Sequence, residues 1–176
     1  MRLSHITLSG FKSFAKKTSI EVTHNVTGIV GPNGSGKSNV AEAIRFVLGE
    51  QSIKSMRGKV TTDLLYKGSS QLSPVSKATV SLVLDNKDKK HSQAIEGDMA
   101  TFLVYDEITL SRTLYADGSS EYTINDAKVR LKDVHELLAL GGIGSVSHLI
   151  ISQGEADRVL LSRPKERREL LEDALG

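Results

Sequence analysis

The chain has 176 residues, of which 39% are apolar and 25% charged, and its formal net charge is +2. This composition is typical of a globular domain and excludes a mostly disordered chain, and so small a net charge does not by itself indicate a nucleic-acid-binding protein. Cysteine is absent, which excludes disulfides and thiolate metal sites. The N-terminus has no signal-peptide pattern and no apolar run approaches the roughly 18 residues of a membrane span, so we expect a soluble, cytoplasmic protein without a membrane partner.

The N-terminal part of the sequence predicts strands, a glycine-rich loop and a helix, in that order. Apolar residues alternate over residues 3–8 and again over 20–22, which predicts two strands. The short apolar run GIV, residues 28–30, predicts a third strand that leads into the loop. Beyond the loop, apolar residues recur at helical spacing from Val40 to Leu48, and a glycine follows directly as a natural helix end.

The following part of the sequence predicts an antiparallel meander and a second helix. Three runs have apolar residues at every second position, ATVSLVLD, ITLSRTLY and SEYTIN, and turn segments lie between them. Helical spacing predicts a helix over residues 131–140, which two glycines end. The charged, amphipathic stretch PKERRELLEDALG begins at Pro164 and predicts a helix that continues past the last residue.

The segment GPNGSGKS fits the phosphate-binding pattern G-x-x-x-x-G-K-[ST]. Its glycines permit close backbone approaches that a Cβ would block, so that successive N–H groups converge on phosphate oxygens, and the next helix adds its positive end. We expect Lys37 to reach the β- and γ-phosphates of ATP and the Ser38 hydroxyl to ligate Mg²⁺. The predicted ATP-binding residues here are Gly31, Pro32, Asn33, Gly34, Ser35, Gly36, Lys37, Ser38 and Asn39.

Hydrolysis also requires an aspartate that holds Mg²⁺ at the end of a buried strand, and a group that positions or deprotonates water. Two apolar runs end in aspartate: SLVLDN at Asp85 has no following glutamate, whereas FLVYDE supplies both Asp106 and Glu107. FLVYDE runs directly into ITLSRTLY and a hairpin turn, which places it in the meander rather than beside the strand before the glycine loop. This context favours solvated turn residues, so we expect the catalytic acids to be missing from this sequence.

Five motifs, the glycine loop among them, together carry a family resemblance. The motifs GFKSF, GPNGSGKSN, FVLGEQS and SMRGKVTTDLLYKGS, and ISQGE before a charged helix, resemble in order and spacing the N-terminal head segment of bacterial SMC (structural maintenance of chromosomes) proteins. The resemblance implies an α/β fold, the N-terminal lobe of an ABC-type P-loop ATPase head. It further implies that residues 1–160 form this lobe and that residues 161–176 begin an outgoing coiled-coil helix.

The resemblance also implies roles for residues outside the glycine loop. Gln153, in SQGE, matches the Q-loop glutamine that reaches Mg²⁺ and the attacking water, and with Lys37 it is our catalytic candidate; alone, a glutamine before glycine is typical of a polar turn. Arg57, in SMRGK, matches an arginine near the nucleotide, and a solvated basic loop is the alternative. Lys12 and Ser13, in GFKSF, are expected near the base or ribose, with a strand-end turn as the alternative.

The family implies that ATP joins two heads on DNA during chromosome condensation and segregation, in association with the nucleoid. Its partners would be the C-terminal lobe of the same protein, which carries the signature and Walker B motifs, a second copy through heads and hinge, a kleisin-type subunit and double-stranded DNA. Three cations, Lys54, Arg57 and Lys59, are the candidate DNA contacts. The alternatives are the head of a RecF-, RecN- or SbcC-type repair ATPase, a small-molecule P-loop kinase, and a non-catalytic DNA-binding module.

Overall fold

A computed structural model describes residues 1–88, 98–142 and 168. Within them the strands are β1 (Arg2–Ser9), β2 (Thr18–Glu21), β3 (Lys77–Asp85), β4 (Glu107–Tyr115), β5 (Ser120–Ile124) and β6 (Ala127–Val129). The helices are α1 (Lys37–Val47) and α2 (Leu131–Leu140), with short 3-10 helices at Thr61–Leu64 and Asp98–Val104. The six strands form an antiparallel sheet in the order β2-β1-β3-β4-β5-β6.

The centre of the sheet is the pair β3 and β4, which stay in register over their whole length, from Lys77 opposite Tyr115 to Asp85 opposite Glu107. Buried and partly buried residues alternate along both strands, as expected for a sheet with one face on the core. The buried apolar residues of this face are Ala78, Val80, Leu82, Leu84, Ile108, Leu110 and Leu114. Helix α1 packs against both strands, so the core lies between α1 and this face.

Helix α1 buries an apolar stripe, Val40, Ala43, Phe46 and Val47, against the sheet. It ends just before Gly49, whose φ of +105° lies in the left-handed region that favours glycine. A Cβ at Gly49 would come within 2.6 Å of Leu131 Cδ1 on α2, so glycine also permits the close approach of the two helices.

A buried cation joins the sheet to the C-terminal end of α1. Arg112, on β4, is only 5% exposed, and its guanidinium lies 4.3 Å from the ring centroid of Phe46 and 4.9 Å from that of Tyr122. Its Nη1 donates to the carbonyl oxygens of Phe46, at 2.9 Å, and Glu50, at 3.0 Å. Burial lowers the pKa of Arg112, because removing the cation from water disfavours its charged form.

The predicted strands of the N-terminal part, the meander and both helices are confirmed, apart from the strand over residues 28–30. Those residues form no strand, because no described strand lies beside them to pair with. The side chains there are open to solvent, with Ile29 46% and Val30 92% exposed. FLVYDE is also not a strand, since most of it lies in the 3-10 helix and in the turn before β4. The sequence analysis missed β6, which follows a tight turn formed by Asn125 and Asp126, both with positive φ.

Two predicted features fall outside the part of the chain that the structure describes. These are the glutamine loop at Gln153 and, apart from Arg168, the outgoing helix over residues 161–176. Within the described ranges, none of the helices has both the length and the apolar character to cross a membrane.

Replacing Arg112 with methionine should lower the free energy of unfolding by about 2 kcal/mol, because two carbonyl groups at the end of α1 would lose a charged donor in a buried setting. The control is Arg2→Met, since Arg2 is half-exposed and pairs with Asp85 at 3.6 Å, and it should cost less than about 0.5 kcal/mol. Urea denaturation measures both. Equal effects would mean that Arg112 does not attach α1 to the sheet.

Candidate nucleotide-binding site

The glycine-rich loop connects the region after β2 to the first turn of α1. Gly34 and Gly36 have φ values of +82° and +95°, in the region that side chains rarely adopt. Gly36 immediately precedes the helix, and a Cβ at this position would lie 2.9 Å from the Ser13 hydroxyl oxygen. Glycine at Gly36 is therefore required both by the backbone conformation and by the neighbouring segment.

The first turn of α1 faces this loop. No described side chain caps the turn, and it contains no acidic residue. The N–H groups at a helix start lack intrahelical partners and carry the positive end of the helix dipole, so they form a site for an anion. Ser38, the second residue of the helix, is exposed, so that its hydroxyl is accessible at the same place.

Lys37 begins the helix and bends back over the loop. Its ammonium donates to the carbonyl oxygens of Gly31, at 2.7 Å, and Pro32, at 2.8 Å. These two bonds place a positive charge above the backbone that the pattern assigns to phosphate. The ammonium has three donors, so phosphate oxygens can replace or join the carbonyls without loss of its charge.

Three residues predicted from separate motifs meet at the first turn of α1. The Asn39 amide donates to the Ser13 hydroxyl at 2.8 Å, and Arg57 Nη2 donates to the Asn39 amide oxygen at 3.3 Å. The segment that carries Ser13 is fixed to α1 by the rings of Phe11 and Phe46, whose centroids are 5.4 Å apart. Lys12 lies in the same segment as Ser13, so the structure brings residues of three predicted motifs together at the start of α1.

The sequence analysis missed Glu42, a buried residue of α1 that is 5% exposed. One carboxylate oxygen accepts from Lys12 Nζ and the other from Arg57 Nε. Lys12 Nζ also donates to the carbonyl oxygen of Met56. One sequence signal could have indicated that Glu42 faces the core. It lies four residues before the apolar Phe46, and residues at this spacing share a helix face.

Asp63 holds the basic loop that carries Arg57 through hydrogen bonds to the loop backbone. Its carboxylate accepts from the backbone N–H groups of Lys59, at 2.9 Å, and Val60, at 3.0 Å. These two bonds are the main reason why the pKa of Asp63 is lowered to about 2, with a smaller contribution from Lys67. Lys54 and Lys59 are both exposed on this loop.

The acids of FLVYDE lie at the other end of the sheet from the glycine loop. Glu107 is opposite Asp85, and Asp85 is opposite Arg2 at the start of β1. The segment that contacts the glycine loop follows the far end of β1, about 20 Å away at the usual rise per residue of a strand. This placement agrees with the expectation that these acids are not part of the nucleotide site.

Comparison with known proteins decides the family. The model of the RecF/RecN/SMC N-terminal domain matches residues 2–162. The chain belongs to this family. Over 176 residues it is 48% identical to a chromosome partition protein Smc of Clostridium kluyveri, and it spans 14% of the length of that relative.

Solved structures identify the fold as that of the ABC-type P-loop head of SMC ATPases, as the resemblance implied. One neighbour comes from a study of ATP-driven dimerization and DNA-stimulated activation of SMC ATPases; it is 32% identical with a TM-score of 0.85, and the match covers 99% of each chain. A second is an Smc head bound to the C-winged helix domain of ScpA, 34% identical with a TM-score of 0.85 over 98% of this chain and 50% of the neighbour. A RecF structure is 21% identical with a TM-score of 0.52, so it shares the fold alone.

Proposed function

We propose that this chain is the ATP-binding N-terminal lobe of an SMC-type head ATPase, which joins heads on DNA in chromosome condensation and segregation. The observation that carries the proposal is the convergence of four features at one point. These are the glycine loop, the start of α1 with no side-chain cap from Gly36, the Lys37 ammonium and the cations of the neighbouring segments. Such a site suits the β- and γ-phosphates of a nucleotide.

The cofactors that we propose are ATP and Mg²⁺, and the residues present fit both. The left-handed backbone at Gly34 and Gly36 gives the loop a conformation that side chains disfavour and that can turn successive N–H groups towards an anion, and Lys37 supplies the charge. Among the described residues no group of three or more histidine, aspartate or glutamate side chains could hold a metal ion, so Mg²⁺ would be held by the Ser38 hydroxyl, phosphate oxygens and water. Gln153, outside the described residues, is the proposed further ligand and water-positioning group.

The proposed boundaries are residues 1–160 for the lobe and 161–176 for the start of the coiled-coil helix. The apolar residues before the glycine loop support packing of a second segment of the protein against this lobe. Val26 is 89%, Ile29 46% and Val30 92% exposed. Several exposed apolar residues within one short segment favour an interaction surface. We propose the C-terminal lobe as their partner, and with it the signature motif and the catalytic acids that the composite ATPase site requires.

The remaining partners rest on the relatives. A homodimer through heads and hinge is proposed because one solved neighbour comes from a study of ATP-driven dimerization of SMC ATPases. A kleisin-type subunit is proposed because a solved Smc head of similar sequence is bound to a domain of ScpA. The repair-ATPase alternative predicts the same nucleotide site, but the RecF structure is only 21% identical, against 48% for the chromosome partition relative. We therefore favour chromosome organisation, in the cytoplasm at the nucleoid.

Replacing Lys37 with alanine should weaken ATP binding about 10- to 100-fold, because the variant loses a charge-assisted contact to the phosphates. The matched control is Lys17→Ala, which removes an exposed lysine outside the glycine loop and should leave the affinity unchanged. Calorimetric titration with ATP and Mg²⁺ measures the dissociation constants, and melting temperatures establish that both variants fold. Equal affinities for wild type and Lys37→Ala would show that the loop does not bind nucleotide.

The basic loop is the proposed DNA surface, formed by Lys54, Arg57 and Lys59. The backbone bonds to Asp63 hold this loop, and both lysines are exposed, so their charges are available to DNA phosphates. Phosphate contacts release counterions, and binding should therefore be independent of DNA sequence and fall steeply with salt. Two joined heads would present the surface twice.

Replacing Lys54 and Lys59 with glutamate should weaken DNA binding by ATP-joined heads at least tenfold and reduce its salt dependence, because phosphate contacts are lost. The matched control changes Lys128 and Lys132 to glutamate, which alters the net charge equally at exposed positions on β6 and α2. A salt titration of DNA affinity compares the three proteins. If the two double variants behave alike, DNA is held elsewhere.

A further inference from the structure

The contacts of Glu42 divide into one buried pair and one exposed pair. The side chain of Glu42 is 7% exposed and that of Lys12 13%, whereas that of Arg57 is 58% exposed. A buried carboxylate needs a counter-ion, and Lys12 supplies one while it also donates to Met56. The requirement of the fold for a partner to Glu42 is thus met without Arg57.

An exposed ion pair contributes little to stability, so the pair with Arg57 is better explained by the position that it gives to the guanidinium. Glu42 accepts from Nε and Asn39 accepts from Nη2. Among the described residues no acceptor contacts Nη1 of Arg57, so the hydrogen-bond donors of this nitrogen remain available to a ligand. Arginine held along one edge can offer its remaining donors to an anion in a fixed direction.

The backbone of the two cations supports the same interpretation. Lys12 has a φ of 47° and Arg57 a φ of 52°, a conformation that is uncommon for residues other than glycine. Such residues persist where the surrounding structure fixes them, and they occur often at ligand sites. Both segments that carry them meet at the carboxylate of Glu42.

We propose that Glu42 is a positioning residue of the nucleotide site, which sets the place of the Arg57 guanidinium beside the start of α1 before ATP binds. It does so without touching the nucleotide itself, since it holds the Nε edge and leaves the outer donors for nucleotide oxygens. The preorganised guanidinium then loses little freedom on binding, which increases affinity. This inference rests on the proposed function, because it requires ATP to bind beside Arg57.

A double-mutant cycle on ATP affinity in the full-length protein tests the inference. Calorimetry with ATP and Mg²⁺ gives dissociation constants for the wild type, Glu42→Gln, Arg57→Ala and the double variant, and melting temperatures are measured on the same samples. Glu42→Gln should raise the dissociation constant about three- to tenfold when Arg57 is present and less than twofold in the Arg57→Ala background. Glu121→Gln, which removes an exposed ion pair with Lys128, is the matched control and should have no effect on affinity.

If Glu42→Gln does not fold, Glu42→Asp replaces it in the same cycle, since it keeps the charge but withdraws the carboxylate by one methylene group. The expected coupling to Arg57 is the same. A residue that serves the fold alone would lower the melting temperature and change the affinity equally in both backgrounds, which would overturn the inference. Failure of the wild type to bind ATP would overturn the proposed function and, with it, this inference.

Discussion

The buried guanidinium of Arg112 holds the C-terminal end of α1 against the sheet, and the proposed nucleotide site at the other end of the helix depends on that attachment. The last carbonyls of a helix lack intrahelical partners and carry the negative end of its dipole. A cation that donates to the Phe46 and Glu50 carbonyls therefore satisfies backbone acceptors and interacts favourably with the dipole. With this end fixed, the first turn of α1 has a defined position over the sheet.

The contacts of Glu42 then fix two other segments to the middle of the same helix. Lys12 comes from the connection after β1 and Arg57 from the loop after α1, and Lys12 also donates to Met56 in that loop. None of these residues is close to Glu42 in sequence, so they meet only when the sheet and helix have formed. The backbone N–H groups of the glycine loop and the cations beside it are thus all held by α1. This explains how a site built from several motifs keeps a single geometry.

Much of this architecture could be predicted from the sequence because it is local or periodic. The glycine pattern specifies a phosphate loop through the conformations of adjacent residues, and alternation marks β3 and β4 because one face of each is buried. The predicted strand over residues 28–30 was wrong because pairing needs a neighbouring strand, which the described chain does not supply. Glu42 was missed because a buried charge is identified by distant partners, one of them 30 residues away.

We propose that this lobe binds ATP and hydrolyses it only together with the C-terminal lobe. The paired acids of FLVYDE, Asp106 and Glu107, lie at the end of the sheet remote from the glycine loop, and the apolar residues before that loop are exposed. The most direct test compares ATP turnover by this chain alone with turnover by this chain joined to the C-terminal lobe, with ATP binding measured in each sample. The account predicts binding without turnover by the chain alone and turnover by the joined lobes. Turnover at the same rate by the chain alone would contradict it.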